Sequence, residues 1–292
     1  MPFSPALISS LSHNTVRNSR RVRGRVRLAS ADVTGVAPNA VVTALKRAAV
    51  GRPSAAERRW IERVELMRAL LLTSQAPLEI EDFGAGTGHR FDTTGATQTR
   101  HMVTKTLGSM TLSSKPPQWA YLLFRLVREL KPSAVLEMGA CVGISASYEA
   151  AALELNGAGT LLTLEGADVL AERSAHTLSE LDLAHRAGVR LGQFADTIGP
   201  AVAELSPLGF AFIDGHHVEA ATLDYMEQIL PAMSDEAVFV FDDIAWSDGM
   251  RAAWSRIVAD DRFALTIDLR SVGIAVLSAS AQSRHSLAIP YF

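Results

Sequence analysis

The sequence predicts an α/β fold built around a mostly parallel sheet that is buried on both faces. Four short apolar runs end in acidic residues and are separated by stretches with helical patterning; the acids are Glu137, Glu165, Asp214 and Asp242. Their separations of 28, 49 and 28 residues match one, two and one strand–helix–strand repeats of about 30 residues. Because parallel strands end at the same edge of a sheet, we expect these acids in one ligand-binding crevice.

The composition is that of a globular protein with a large core. The chain has 292 residues, 48% hydrophobic and 20% charged, with a formal net charge of -3. This charge gives no general attraction to nucleic acid or to an anionic membrane, so we expect neither as a partner. No apolar run approaches the ~20 residues needed to cross a bilayer. Cys141 is the single cysteine, which excludes an internal disulfide and favours the reducing cytoplasm.

Residues 1–38 are predicted to form a basic, flexible arm. Residues 1–31 contain no acid. The closely spaced arginines are Arg17, Arg20, Arg21, Arg23, Arg25 and Arg27. Such a segment is typical of an organelle transit peptide, of an arm that binds RNA or another polyanion, or of a solvated extension. The sequence leaves these three alternatives open.

Residues 39–116 are predicted to be a helical extension that forms a cap or a dimer surface beside the sheet. Ser54 and Glu57 have the spacing of a capping box, which marks the start of a helix. An apolar stripe follows at helical spacing: Trp60, Val64, Met67 and Leu71. Residues 75–116 read as irregular because glycines interrupt them.

The glycine-rich stretch 80–88 resembles a nucleotide-binding loop, but its context argues against that role. A cofactor loop should lead into a helix and a second strand ending in an acid. Instead a polar segment, 89–95, follows without a helical stripe. We therefore favour a structural turn over a substrate loop here.

The turn at 137–143 is the better candidate for a cofactor loop. It follows an apolar run and leads into a helix predicted to end near Asn156. Gly139 permits a tight turn, and a helix beginning at Gly143 presents free amides and a positive dipole end. Glu165, at the end of the next strand, suits two ribose hydroxyls.

These motifs together resemble a class I S-adenosylmethionine-dependent methyltransferase. They are the residues 137–143, Glu165, the segment 212–217 and the segment 241–244. Within that superfamily they are most similar to the bacterial catechol-type and natural-product sugar O-methyltransferases. The resemblance covers roughly residues 115–277, so we assign 117–292 to the methyltransferase domain. A short-chain dehydrogenase is disfavoured, because no Tyr is followed by Lys at the spacing those enzymes use.

The resemblance implies a Rossmann-like, seven-stranded, mostly parallel sheet with a C-terminal antiparallel hairpin, formed here by 263–269 and 272–277. It also implies S-adenosyl-L-methionine as the cofactor, with its methionine part near the turn, its ribose at Glu165 and its adenine beside Gln193. The candidate cofactor-binding residues are Glu137, Gly139, Gly143, Glu165, Gln193, Phe194 and Asp214.

Methyl transfer to a hydroxyl needs a positioned acceptor and a route for its proton. Asp214, Asp242 and Asp243 offer the hard oxygen ligands that Mg²⁺ prefers, and a bound cation lowers the pKa of a hydroxyl. His217, three residues after Asp214, suits proton acceptance near neutral pH. We take Asp214 and His217 as the catalytic candidates and the three aspartates as candidate ligands of Mg²⁺ or another divalent cation.

The sequence thus predicts O-methylation of a small-molecule hydroxyl, assisted by a divalent cation. Two alternatives remain: a metal-independent N- or C-methyltransferase of the same fold, and a non-catalytic protein that binds RNA through its arginine-rich arm. The expected partner is a small-molecule acceptor, and the choice between a monomer and a homodimer stays open.

Overall fold

The computed structural model describes residues 39–82, 101–281 and 283–289. The predicted arm at 1–38 and the glycines of residues 84–95 lie outside these ranges. Two helices open the described part, α1 (Asn39–Val50) and α2 (Ala55–Leu72). The predicted capping box is confirmed: Ser54 N donates to Glu57 Oε2 at 2.8 Å, and Glu57 N donates to Ser54 Oγ at 3.3 Å.

A two-stranded sheet and a short helix occupy most of the segment that was expected to be irregular. Strands β1 (Pro77–Asp82) and β2 (His101–Thr106) pair antiparallel, and helix α3 (Leu107–Leu112) follows at once. The prediction for residues 75–116 is therefore wrong over these elements. Each strand is short and is completed by a partner far along the chain, so local patterning carries little of the signal.

The main sheet has eight strands in the order β10-β8-β9-β7-β6-β3-β4-β5. The strands are β3 (Ala134–Met138), β4 (Thr160–Glu165), β5 (Ala187–Leu191), β6 (Leu208–Ile213), β7 (Met233–Phe241), β8 (Leu265–Asp268), β9 (Gly273–Ser278) and β10 (His285–Ala288). Strand β9 runs antiparallel to β7 and β8, and the other neighbouring pairs are parallel. The predicted α/β class and hairpin are confirmed, whereas the strand count rises from seven to eight because β10 adds an edge.

Helices cover both faces of this sheet, as its continuous apolar strands require. They are α4 (Pro117–Leu130), α5 (Ile144–Asn156), α6 (Asp168–Glu180), α7 (Phe194–Leu205), α8 (Glu219–Ile229) and α9 (Asp248–Ala259). Alternate strand residues enter two cores: Val135 packs with residues of α1, α4, α5 and α6, and Leu136 with residues of α7, α8 and α9. Among the described helices, none combines the length and apolarity of a membrane span.

Candidate active site

The acids predicted at the strand ends do lie at one edge of the sheet. Glu165 is the last residue of β4, Asp214 follows β6 and Asp242 follows β7. The strand ladder fixes this arrangement, since β4, β3, β6 and β7 are consecutive parallel neighbours. Glu165 and Asp214 line the same cavity, of about 350 Å³, which is within the range of small-ligand sites.

The cavity has a sheet side and a cap side. On the sheet side are five predicted cofactor residues: Gly139, Glu165, Gln193, Phe194 and Asp214. On the cap side are residues of the β1–β2 hairpin and α3: Ile80, Glu81, Val103, Lys105, Ser109 and Met110. The sequence predicted a cap beside the sheet, but it did not predict the β1–β2 hairpin in this wall, because residues 75–116 read as irregular chain.

Both glycines of the turn after β3 have a backbone that excludes a side chain. Gly139 has φ +97°, and a Cβ there would lie 2.1 Å from the carbonyl oxygen of Asp214. Gly143 has φ +83°, and its Cβ would lie 2.8 Å from Ser174 Oγ. Gly139 lines the cavity, whereas Gly143 is the N-cap of α5 and is not among the lining residues. The turn therefore brings bare backbone against the end of β6.

Glu165 is held rigidly by backbone amides. Its Oε2 accepts a hydrogen bond from Cys141 N at 2.8 Å, and its Oε1 accepts one from Ala167 N at 3.0 Å. Burial raises the pKa of Glu165, and the backbone amides of Ala167, Cys141 and Gly166 oppose that rise. The carboxylate thus has a fixed orientation with further lone pairs available toward the cavity.

Glu137 lies beneath the site and does not line the cavity. It shares a strand face with Val135 and is fully buried, and neither of its carboxyl oxygens has a hydrogen-bond partner. Burial raises its pKa to about 7, and the charges of Asp214 and Glu165 add to that rise. The nearby hydroxyls of Ser145 and Thr163 lower the pKa, although their geometry falls short of a hydrogen bond to Glu137. Glu149 on α5 is equally buried, and its pKa is raised by burial and by Glu137. No local sequence pattern predicted this carboxyl pair.

Phe194 and His216 bring aromatic rings to the cavity wall. Phe194, the first residue of α7, packs over Gly215 and lies edge-on to His216 and Tyr225, each with ring centroids 5.5 Å away. His216 Nδ1 also hydrogen bonds to the Tyr225 hydroxyl. Of the two adjacent histidines, His216 therefore borders the cavity, and the sequence analysis had singled out only His217.

Asp214, His217 and Asp242 converge on one point. Their potential ligand atoms lie within 4.8 Å of one another, and His217 Nε2 is 3.6 Å from Asp214 Oδ1. The predicted ligand set differs in one member, since Asp243 is not part of this group. Asp243 has φ +51°, and its carbonyl accepts a hydrogen bond from Trp246 N at 2.9 Å.

A lysine side chain enters this acidic group from the cap side. Lys115 Nζ contacts Asp242 Oδ2 and lies 3.4 Å from Asp214 Oδ2. The side chains of Lys115 and Asp242 are only 12% and 2% exposed, so the ion pair is largely shielded from water. Sequence reasoning missed Lys115; the available signal was the lysine directly before Pro116 and Pro117 at the start of α4.

Comparisons with known proteins agree with this architecture. Residues 136–244 match the family described as a methyltransferase domain. An O-methyltransferase from Bacillus cereus in complex with SAH aligns with a TM-score of 0.53 and 18% identity, over 79% of this chain and 94% of that one. The SAH-bound methyltransferase PaMTH1 from Podospora anserina aligns with a TM-score of 0.52 and 12% identity, over 78% and 89%. A search of curated protein sequences gave no match.

Proposed function

We propose that the protein is an S-adenosylmethionine-dependent methyltransferase of class I that methylates a hydroxyl oxygen of a small molecule. The match of residues 136–244 to a methyltransferase domain supports this proposal. One observation carries the proposal. Asp214 borders the cavity together with Glu165 and also belongs to the acidic group with Asp242 and His217. A cofactor held at Glu165 would therefore have its reactive end next to polar groups that can receive an acceptor hydroxyl.

Glu165 is the residue best placed to hold the cofactor ribose. Two backbone amides already fix its carboxylate, so accepting two hydroxyl hydrogen bonds requires no further ordering of the side chain. The adenine would lie toward Gln193 and Phe194, where the ring of Phe194 offers an apolar face. The methionine part would then extend toward Gly139, whose backbone permits close approach.

The reaction is an in-line displacement at the methyl carbon. The acceptor oxygen forms the new O–CH₃ bond while the S–CH₃ bond breaks, and the bonding electron pair stays on sulfur to give S-adenosylhomocysteine. The acceptor proton must leave, and the imidazole of His217 can accept it. The contact of 3.6 Å between His217 Nε2 and Asp214 Oδ1 would orient that ring. Positioning of the two reactants supplies much of the remaining rate enhancement.

The expected divalent cation does not fit the acidic group as it stands. Two carboxylates and an imidazole are suitable ligand types, and Mg²⁺ or another divalent ion would be held by Asp214, Asp242 and His217. However, the ammonium of Lys115 already contacts Asp242 and lies beside Asp214. We therefore assign no catalytic step to a metal.

The proposal extends to partners and location. A small-molecule acceptor suits a cavity of about 350 Å³ that is walled by the β1–β2 hairpin. The single cysteine suits a cytoplasmic enzyme. A homodimer remains a prediction, to be checked by light scattering of the full chain.

Transfer of an isotopically labelled methyl group tests the proposed function. The protein is incubated with S-adenosylmethionine carrying a ¹³C-methyl group and with panels of phenols, sugars, amines and carbon acids. The carbon chemical shift of the product separates O-methyl from N- and C-methyl groups. Products methylated on nitrogen or carbon alone would refute O-methylation while leaving the methyltransferase domain intact.

A further inference from the structure

The carboxylates of Asp214 and Asp242 beside the cavity are paired with one positive charge, the ammonium of Lys115. Asp242 is 2% exposed and Asp214 16%, so two carboxylates lie in a poorly hydrated position only a few ångströms from each other. Two negative charges in such a position are unfavourable unless a nearby cation compensates them. Lys115, itself 12% exposed, is the only lysine or arginine in the described residues that forms an ion pair with either aspartate.

The backbone around Lys115 is held in place by the start of helix α4. Lys115 lies between α3 and α4, where Pro116 is the N-cap of α4 and has φ -53° and ψ 148°. The proline after Lys115 restricts the lysine backbone to extended conformations, so Lys115 does not extend the helix. Helix α4 is anchored by buried residues such as Trp119, Leu122 and Leu123. Helix packing thus sets the backbone position of Lys115, and the contacts with Asp242 and Asp214 hold its ammonium.

The ammonium and a divalent ion would compete for the same oxygens. The oxygen of Asp242 that Lys115 contacts, Oδ2, belongs to a carboxylate that any ion in this group would need. Two cations close to each other repel. Because the site is poorly hydrated, this repulsion is stronger there than it would be in bulk water. Only displacement of the lysine side chain would free the oxygen.

We propose that Lys115 is the built-in cation of this acidic group and that its ammonium keeps divalent metals out of it. The inference rests on the proposed function, because the acceptor hydroxyl is proposed to bind beside the ammonium of Lys115. Lys115 acts as a positioning residue: it holds Asp214 and Asp242 together at the end of the cavity. Its fixed positive charge also favours an acceptor oxygen that becomes negative as its proton leaves.

Binding of Mn²⁺ to the full-length chain, followed by electron paramagnetic resonance, tests the proposal without any methyl acceptor. Six proteins are compared: the natural chain, Lys115→Ala, Lys115→Arg, Asp242→Asn, the double variant Lys115→Ala with Asp242→Asn, and Lys105→Ala. Lys105 is the matched control, because it lines the same cavity and forms no ion pair with either aspartate. Thermal unfolding of each protein verifies that it is folded.

We expect Lys115→Ala to bind one Mn²⁺ per chain at least about tenfold more tightly than the natural chain, because two carboxylates lose their counter-charge. The natural chain, Lys115→Arg and Lys105→Ala should bind weakly, and Asp242→Asn should abolish the gain. Tight Mn²⁺ binding by the natural chain that is lost with Asp242→Asn alone would overturn the proposal. So would a folded Lys115→Ala protein that binds no more tightly than the natural chain.

Two additions keep the test decisive. Should Lys115→Ala fail to fold, Lys115→Met retains the apolar stem of the side chain and takes its place. Calorimetric titration of each protein with S-adenosylhomocysteine examines the proposed function separately. A natural chain that binds no S-adenosylhomocysteine would contradict the methyl-transfer proposal, whereas the Mn²⁺ results alone decide the role of Lys115.

Discussion

Glu165→Ala should reduce the affinity for S-adenosylhomocysteine about a hundredfold. The carboxylate of Glu165 lines the cavity and is fixed by Cys141 N at 2.8 Å and Ala167 N at 3.0 Å. A hydrogen bond to a charged group contributes about 1.5–3 kcal/mol, so losing two to the ribose at the lower end removes about 3 kcal/mol. Each 1.4 kcal/mol is about tenfold in the dissociation constant.

Isothermal titration calorimetry of the natural chain and the variant measures this loss directly. Asp196→Ala is the matched control, because Asp196 is exposed in the first turn of α7 and is not among the residues lining the cavity. The control removes one negative charge near the site and should change the affinity by less than about twofold. If a folded Glu165→Ala protein binds as tightly as the natural chain, the ribose assignment is wrong.

Three further predictions concern stability. In a urea titration, Gly139→Ala should lower the free energy of unfolding by about 3 kcal/mol, since φ +97° is strained for alanine and its Cβ would meet the Asp214 carbonyl. Gly157→Ala is the matched control: it has φ +74° but open space around it, so it should cost only about 1 kcal/mol. The natural chain should lose stability as pH rises from 4.5 through about 7, because the raised pKa of Glu137 means that the folded protein binds this proton more tightly than the unfolded chain does. Glu137→Gln should reduce the dependence of the unfolding midpoint on pH. A midpoint of the natural chain that stays constant across that range would contradict the prediction. Arg125→Met should cost about 3 kcal/mol, because it removes the ion pair of the fully buried Arg125 with Glu57 and leaves that carboxylate only Ser54 N and the Arg128 guanidinium, 3.5 Å away. The double variant with Glu57→Gln should recover part of the loss, and equal losses would refute the pairing.

The sequence predicted the elements whose signals are local. The capping box at Ser54 and the acids after buried strands follow from short patterns that each element satisfies by itself. Placing Glu165 and Asp214 at one cavity needed only the rule that parallel strands end together. Strand β10 escaped detection because its alternating, partly exposed residues depend on pairing with β8 at the sheet edge.

Residues that tertiary packing brings together were the ones missed. Lys115 reaches Asp242 across 127 positions of sequence, and no local pattern encodes that distance. Glu137 was expected beside the cofactor, yet the two-residue period of a strand turns its side chain to the face of Val135, beneath the helices. His216 and His217 are adjacent and have φ values of 60° and 42°, and only His216 is among the residues that line the cavity.

The close approach of Gly139 to the Asp214 carbonyl places the turn after β3 directly against the end of β6. A Cβ at Gly139 would lie 2.1 Å from that carbonyl oxygen, so a displacement of the turn toward β6 would press directly on Asp214. Binding of S-adenosylhomocysteine beside this turn should therefore affect the backbone at Asp214. Amide exchange at Asp214, whose N–H is bonded to Met138 O, would slow when S-adenosylhomocysteine binds, although that ligand lacks the methyl group to be transferred.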